Sequence, residues 1–257
     1  MAKTTLSRFL SIDIGGSGLK AAVVDRDGEL LTARVRVETP RPCTRDRLLE
    51  DLVALVGPLG RFDCIAVGFP GVVRAGVVVT APNLGTDMLK DLDLASVLES
   101  RLGRPARVAN DAEVQGLGAI QAKGVEMVVT LGTGFGTALF LDGRSLPNLE
   151  LGHHPFHKGR TYEELLGNQA LERRGKEKWN KTLARAIRTL RLLTHFDRLY
   201  IGGGNARHVR MALDGDTTVV SNTMGIKGGV ALWLGVAGER SPQGKTNKTG
   251  VSRANTT

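Results

Sequence analysis

The chain is poor in cysteine. Its 257 residues hold two, Cys43 and Cys64, too few for a disulfide framework or a Cys-rich zinc site. Aromatic residues make up only 4 %. There is none of the basic and aromatic interleaving on which single-strand nucleic-acid binders stack bases. No apolar run is long enough to span a bilayer, so no membrane association is expected. The opening residues, MAKTTLSRFLSIDIGG, hold no long apolar segment ahead of a small-residue cleavage site. A secretory signal is therefore not expected, and the cytoplasm is the expected compartment. A G-x-x-x-x-G-K-S/T loop is missing, which excludes a P-loop protein. No G-x-G-x-x-G opens a helix, which argues against a Rossmann dinucleotide site.

Charge is present but uneven. Lys and Arg number 35 against 26 Asp and Glu, a net +9. From Lys158 to Arg191 there are ten basic and four acidic residues, net +6, and from Glu239 to the end four basic and one acidic, net +3. The remainder holds 21 of each sign. A neutral body thus carries one basic segment and one basic tail. The segment is either a solvated helix face or a track for a polyanion. Residues 239–257, rich in Gly, Ser, Thr, Asn and Lys, are expected to be a disordered tail.

At 41 % apolar residues the chain can bury a large core. Phe9 to Ile14 reads as a strand, broken by Gly15-Gly16-Ser17-Gly18. Leu19 to Val24 resumes it, and Asp27-Gly28 marks a turn before a third strand, Glu29 to Val37. Helical spacing runs from Leu48 to Leu59 and from Leu92 to Leu102. Cys64 to Phe69 is a buried strand entering the Pro70-Gly71 turn. Ala106 to Ala109 is a short strand that ends at Asn110-Asp111, where a helix from Ala112 to Lys123 begins. The opening pattern then returns. Met127 to Leu131 is a strand, Gly132-Thr133-Gly134-Phe135-Gly136 a turn, Thr137 to Leu141 a strand and Asp142-Gly143 a turn. This repetition predicts two similar lobes, each offering a glycine turn to a shared cleft. Thr161-Tyr162-Glu163-Glu164 is a capping box. It opens helical sequence that continues, with a break at Gly175, to about Thr194. A strand at Leu199 to Ile201 leads into Gly202-Gly203-Gly204, and a last helix spans 227–236.

Three glycine-rich turns that each follow a buried strand suit a phosphate cleft, because glycine lets successive backbone N–H groups approach an anion closely. Ser17 offers a hydroxyl and Lys20 a point charge beside the first turn. Asp111 either caps the next helix or accepts a proton from an attacking hydroxyl. Glu150-Leu151-Gly152-His153 follows a Pro147-Asn148 bend. Its Glu and His either hydrogen-bond vicinal hydroxyls or lie solvated in a loop. His154 and His157 lie close by, but the local Gly and Pro give no zinc geometry.

Taken together, these segments resemble the ROK group of bacterial sugar kinases. The matching residues are Asp13-Ile14-Gly15-Gly16-Ser17 with Lys20, Gly68-Phe69-Pro70-Gly71, Ala109-Asn110-Asp111-Ala112, Leu131 to Gly136, Glu150-Leu151-Gly152-His153 and Ile201 to Gly204. Their order is that of the family, over nearly the whole folded chain. The resemblance implies an α/β, two-lobed, actin-like (ribonuclease H-like) fold with a duplicated β-meander and an interlobe cleft. Residues 1–110 would form the N-terminal lobe and 111–238 the C-terminal lobe, with helix 227–236 either there or returning to the first lobe.

The resemblance also implies roles. Asp111 would be the general base for the sugar 6-hydroxyl. Asn83, Asn110, Glu150, His153 and Glu163 would hold the sugar, and Asp13 would hold Mg²⁺ through water. Gly15, Gly16, Ser17, Lys20, Gly132, Thr133 and Gly134 would embrace the phosphoryl donor, with Gly202, Gly203 and Gly204 near the base of a nucleotide. The Cys-rich segment of the family's zinc-binding branch is replaced by Gly159-Arg160-Thr161-Tyr162-Glu163, so no zinc is expected. With the first glycine turn beginning at Gly15, the DNA-binding helices of the family's repressors are not expected ahead of it. The compact length and the basic Lys176-Glu177-Lys178-Trp179-Asn180-Lys181 stretch are similar to the polyphosphate glucokinases of the family. The expected activity is phosphorylation of glucose by polyphosphate. The alternatives are an ATP-dependent glucokinase or other hexokinase, or a sugar sensor without catalysis. A homodimer without nucleic-acid partners is the implied state.

Overall fold

A computed structural model describes residues 6–221 and 223–236; the expected tail, 239–257, lies outside them. Strand β1 (Phe9–Ile14) is buried at every residue except Asp13. It turns through Gly15–Gly18, closed by the Gly15 N–H donating to the Gly18 carbonyl at 3.0 Å, into antiparallel β2 (Leu19–Val24). Strand β3 (Val35–Val37) pairs with β2 but is shorter than the expected Glu29–Val37. The Val23 N–H donates to the Thr32 hydroxyl at 3.0 Å, a side-chain contact in place of a ladder bond, so only a bridge at Leu30 precedes β3. Helix α1 (Arg45–Val56) starts at a Thr44 cap and buries Leu48, Leu49, Leu52, Leu55 and Val56 against the sheet. Then follow β4 (Cys64–Phe69), buried throughout, the β5 (Val73–Arg74) and β6 (Val77–Val78) hairpin, α2 (Thr86–Leu89), α3 (Leu94–Leu102) and β7 (Ala106–Asn110). The sheet order is β3-β2-β1-β4-β7, with β4 and β7 parallel to β1.

Helix α4 (Asp111–Leu117) leads to β8 (Val125–Leu131), β9 (Phe135–Leu141) and β10 (Arg144–Ser145). The helix expected to reach Lys123 stops at Leu117. Beyond it the backbone N–H groups of Gln121 and Lys123 donate to the buried Glu126 carboxylate at 2.8 and 3.1 Å, and that capture replaces helical partners. The short β11 (Pro155–His157) and β12 (Arg160–Thr161) precede α5 (Tyr162–Leu166) and α6 (Asn168–Thr194). The expected break in α6 is at Gly175, where φ is 73°. The chain closes with β13 (Arg198–Gly202), β14 (Thr217–Val219) and α7 (Met224–Leu234). The second sheet runs β10-β9-β8-β13-β14. Each sheet is therefore a glycine-turned antiparallel meander extended by two parallel strands.

The last helix lies on the first sheet. Trp233 Nε1 donates to the Ile65 carbonyl at 3.1 Å, and the Arg107 guanidinium donates to the Leu232 carbonyl while stacking 4.3 Å above the Trp233 ring. Helices α4 and α7 cross at Gly118 and Gly228. A methyl on Gly228 would overlap the Val114 carbonyl, and one on Gly118 the Met224 carbonyl.

Candidate active site

Strand β7 ends in Asn110, which is buried. Both Asn110 and Asp111 are competent helix caps, and Asn110 takes the role. Its Oδ1 accepts the N–H groups of Ala112 at 2.9 Å and Glu113 at 3.3 Å, while its Nδ2 donates to the Gly71 carbonyl at 3.0 Å. The capping role considered for Asp111 thus belongs to its neighbour. Asp111 occupies the first turn of α4, where one carboxylate oxygen accepts the Ala112 N–H at 2.7 Å. Desolvation, with Asp13 and then Glu150 as further negative neighbours, pushes its pKa up to about 7. A carboxylate poised near neutrality is suited to taking a proton from a hydroxyl.

The two meander turns meet. A Cβ placed on Gly16 would lie 3.4 Å from Thr133 Cγ2 and 3.5 Å from Asn83 Cβ. One placed on Gly134 would collide with a Glu163 carboxylate oxygen and lie 3.3 Å from Asn83 Nδ2. Gly16, Asn83, Thr133, Gly134 and Glu163 therefore converge from both halves of the chain. Glu163 reaches there because Tyr162 is sandwiched between Phe135, 5.4 Å between ring centroids, and Phe156, at 4.3 Å. The Glu163 carboxylate accepts the Phe135 N–H at 3.3 Å, and Glu164 completes the expected capping box.

Glu150 sits in the left-handed region at φ 46°, a conformation that costs a non-glycine residue energy and recurs at functional sites. Its carboxylate lies 3.5 Å from His153 Nε2. Burial raises its pKa, with His153 opposing and Glu163 reinforcing the shift. Gly152 permits this turn, since a Cβ there would strike the Phe135 carbonyl. His157 instead points to Arg185, 2.7 Å from its Nε2.

In the first turn, Ser17 is exposed, and Lys20 is directed at a protein carboxylate. Its Nζ donates to Asp13 Oδ2 at 2.8 Å, across the β1–β2 register. The third turn packs behind the second. Gly203 has φ 85°, and a Cβ there would strike the Leu131 backbone. Gly202 lies against the Gln115 amide, and Gly204 faces open space.

Several residues of this region carried little sequence signal. Arg41 donates from Nη2 to the Gly16 carbonyl at 2.6 Å and from Nη1 to the Asn83 carbonyl at 3.3 Å, tying two site segments together. Thr39 donates to the Gly15 carbonyl at 2.6 Å. The one available hint was a cation held between prolines in Thr39-Pro40-Arg41-Pro42. Buried Asn205 donates to the Gly132 carbonyl at 3.2 Å and to Asn168 Oδ1 at 3.3 Å, linking the second and third turns to the start of α6.

The chain is similar to known proteins over most of its length. The ROK family model matches residues 9–189. The polyphosphate glucokinase of Mycobacterium tuberculosis (strain CDC 1551 / Oshkosh) is 30 % identical over 241 residues, covering 88 % of this chain and 91 % of its own. That of Mycobacterium leprae is 29 % identical, over 88 % of this chain and 74 % of its own. Among solved structures, the inorganic polyphosphate/ATP-glucomannokinase from Arthrobacter sp. strain KM superposes with a TM-score of 0.79 at 32 % identity, covering 89 % of this chain and 99 % of that one. A ROK glucokinase from Streptomyces griseus, at 20 % identity and TM-score 0.70, shares the fold over 88 % of this chain and 98 % of its own.

Proposed function

Because this chain belongs to the ROK family, with its two-lobed, actin-like fold, we propose that it is a kinase transferring a phosphoryl group from polyphosphate to the 6-hydroxyl of glucose. The observation that carries the proposal is Asp111, a carboxylate raised to about 7 with Asp13, two residues before the first glycine turn, and Glu150 as its negative neighbours. The donor assignment is supported by the names of the mycobacterial relatives and of the Arthrobacter enzyme.

In the proposed reaction the sugar lies against Glu150, His153, Glu163 and Asn83. The oxygen of the 6-hydroxyl attacks the terminal phosphorus, and its proton passes to Asp111. The bond to the bridging oxygen breaks, releasing a polyphosphate one unit shorter. The N–H groups of Gly15 and Gly132 are taken up within their turns, by the Gly18 and Gly134 carbonyls, so in this reading other backbone N–H groups of the two turns would receive the transferred group, where fixed dipoles are effective because they need no reorganisation. Apposition of the turns excludes water from the phosphoryl group.

Among the described residues no three His, Cys, Asp or Glu side chains form a metal cage. Magnesium does not require one, since it keeps several waters and takes one or two carboxylates plus substrate phosphates. Asp13, half exposed with one oxygen given to Lys20, fits that donor set. It would hold the ion, which neutralises phosphate charge when bound. ATP is the second reading for the donor, favoured by the Arthrobacter enzyme, whose name includes both donors.

A matrix of donors (polyphosphate, ATP) against sugars (glucose, mannose) tests the proposal. Glucose 6-phosphate formation with polyphosphate is the expected result. Sugar binding without turnover on either donor overturns it in favour of a sensor.

A further inference from the structure

Helix α6 begins at the second glycine turn, where the Asn168 N–H donates to the Thr133 carbonyl at 3.3 Å. After the break at Gly175 its second segment comes back to the end of α5, where Trp179 Nε1 donates to the Leu166 carbonyl at 2.9 Å. The segment after β13 leaves the same place, since the Asn205 N–H donates to the Leu131 carbonyl at 2.8 Å. Buried Asn180 then ties the two together. Its Nδ2 donates to the His208 carbonyl at 2.9 Å, and its Oδ1 accepts the Arg210 N–H at 2.7 Å. Between them opens a groove of about 460 Å³ whose exposed lining is largely apolar, formed by Lys176, Glu177, Asn180, Lys181, Arg210 and Met211, with Ala184 at its edge. Arg207 adjoins it, its Nε 3.2 Å from His208 Nε2. The one carboxylate in this lining, Glu177, is matched by Lys181 at 2.7 Å. Lys176, Arg207 and Arg210 are exposed, and among the described residues no carboxylate pairs with them.

Resting on the donor reading above, we propose that Lys176, Lys181, Arg207 and Arg210 form a subsite for the distal phosphates of a long polyphosphate chain, those behind the transferred group. Three observations support a linear polyanion there. The two segments that carry the cations both set out from the second glycine turn. Its lining contains no aromatic ring to stack a base. The electrostatics are also uncompensated. Desolvation, then the charges of Lys176, Arg207 and Arg210, holds the His208 ring below the ordinary histidine range, and a bound polyanion would relieve that. Chain-length preference would then come from this groove and phosphoryl transfer from the cleft.

The test compares the parent with the double variant Lys176→Gln/Lys181→Gln, whose positions are exposed on α6, and with Arg210→Gln. Glucose calorimetry checks that each variant is folded. For long-chain polyphosphate, kcat/KM should fall roughly tenfold in the double variant. The slope of log KM against log salt should flatten by about 0.7 per cation removed. Tripolyphosphate should lose much less. Equal losses on short and long donors overturn the proposal, because they move these residues to the reacting phosphate. An unchanged long-chain KM and slope overturns it too.

If the parent fails to use polyphosphate at all, the donor reading fails by itself. The His208 ring resonance under titration with long-chain polyphosphate then decides the subsite. A shift present in the parent and lost in the double variant supports it, and no shift overturns it. Single-stranded RNA displacing polyphosphate at equal phosphate concentration would assign the groove to nucleic acid and also overturn it.

Discussion

Asn110 caps the helix whose first residue is Asp111, accepting the N–H groups of Ala112 and Glu113 while donating to the Gly71 carbonyl. This buried amide fixes the carboxylate beside it in place through three backbone groups. Asn110→Ala should therefore cost stability and turnover together. Ala112 keeps the Asp111 carboxylate as acceptor, but leaving the Glu113 N–H and the Gly71 carbonyl without this partner costs about 1–3 kcal/mol, readable in urea melts. The rate should fall further than glucose affinity, because Asp111 is misplaced relative to the 6-hydroxyl. Asn110→Asp keeps the cap acceptor but loses the bond to Gly71. A full kcat with normal melting in Asn110→Ala would contradict the positioning role.

The raised pKa of Asp111 has two consequences of opposite sign. Only the ionised form accepts a proton, so kcat/KM should rise about tenfold per pH unit up to about 7 and level off above it. Asp13→Asn removes the larger of its two negative neighbours and should move that limb to lower pH. Stability runs the other way. An unfolded aspartate titrates near 3.9, so the folded state holds this proton more tightly than the unfolded state does. The stabilisation is complete below about 4 and is lost as pH rises through about 7. Asp111→Asn should thus lose several orders of magnitude in kcat, yet melt higher than the parent above pH 7. A variant that keeps its rate removes Asp111 as the base.

Much of this site could be read from local pattern. The glycine turns, the strand-to-helix corner at Asn110-Asp111, the Thr161–Glu164 box and the Gly175 break are each set by a few adjacent residues. The choice between Asn110 and Asp111 as cap was not readable, because both side chains can cap and burial decides. The partner of Lys20 follows from hairpin register. With Ile14 opposite Leu19, Asp13 must face Lys20, so the cation that looked free for phosphate was within reach of a carboxylate. Arg41 was unreadable for a different reason. Its acceptors lie 25 and 42 residues away, and no periodicity encodes a contact made through backbone carbonyls.

Arg41 supplies a prediction that separates positioning from stability. Its guanidinium forks between the Gly16 and Asn83 carbonyls at an exposed location, so its removal should cost only about 1 kcal/mol. The same change frees the first glycine turn from the Asn83 loop, and such misplacement near the chemistry can lower rate by about 10²-fold. Arg41→Lys should recover little, since a single ammonium cannot reproduce the fork. Steady-state kinetics beside thermal melts would show it. A drop in melting temperature that accounts for the whole rate loss would make Arg41 a structural residue only.

Two glycine substitutions should fail differently although both add one methyl group. At Gly203 the methyl meets the Leu131 backbone, which cannot move without disturbing its pairing with Phe135 and the bond its carbonyl accepts from the Asn205 N–H, and φ is 85°. Strain and collision together should cost more than about 2 kcal/mol, so Gly203→Ala should lower melting temperature and activity in parallel. At Gly134 the obstacle is the end of the Glu163 side chain, which can rotate away at the cost of its contact with the Phe135 N–H. Gly134→Ala should then melt close to the parent while its KM for glucose rises, because the displaced carboxylate is one of those placed against the sugar. Calorimetric titration with glucose distinguishes the two. Unchanged glucose binding in Gly134→Ala would remove Glu163 from the sugar site while leaving the phosphoryl-transfer reading intact.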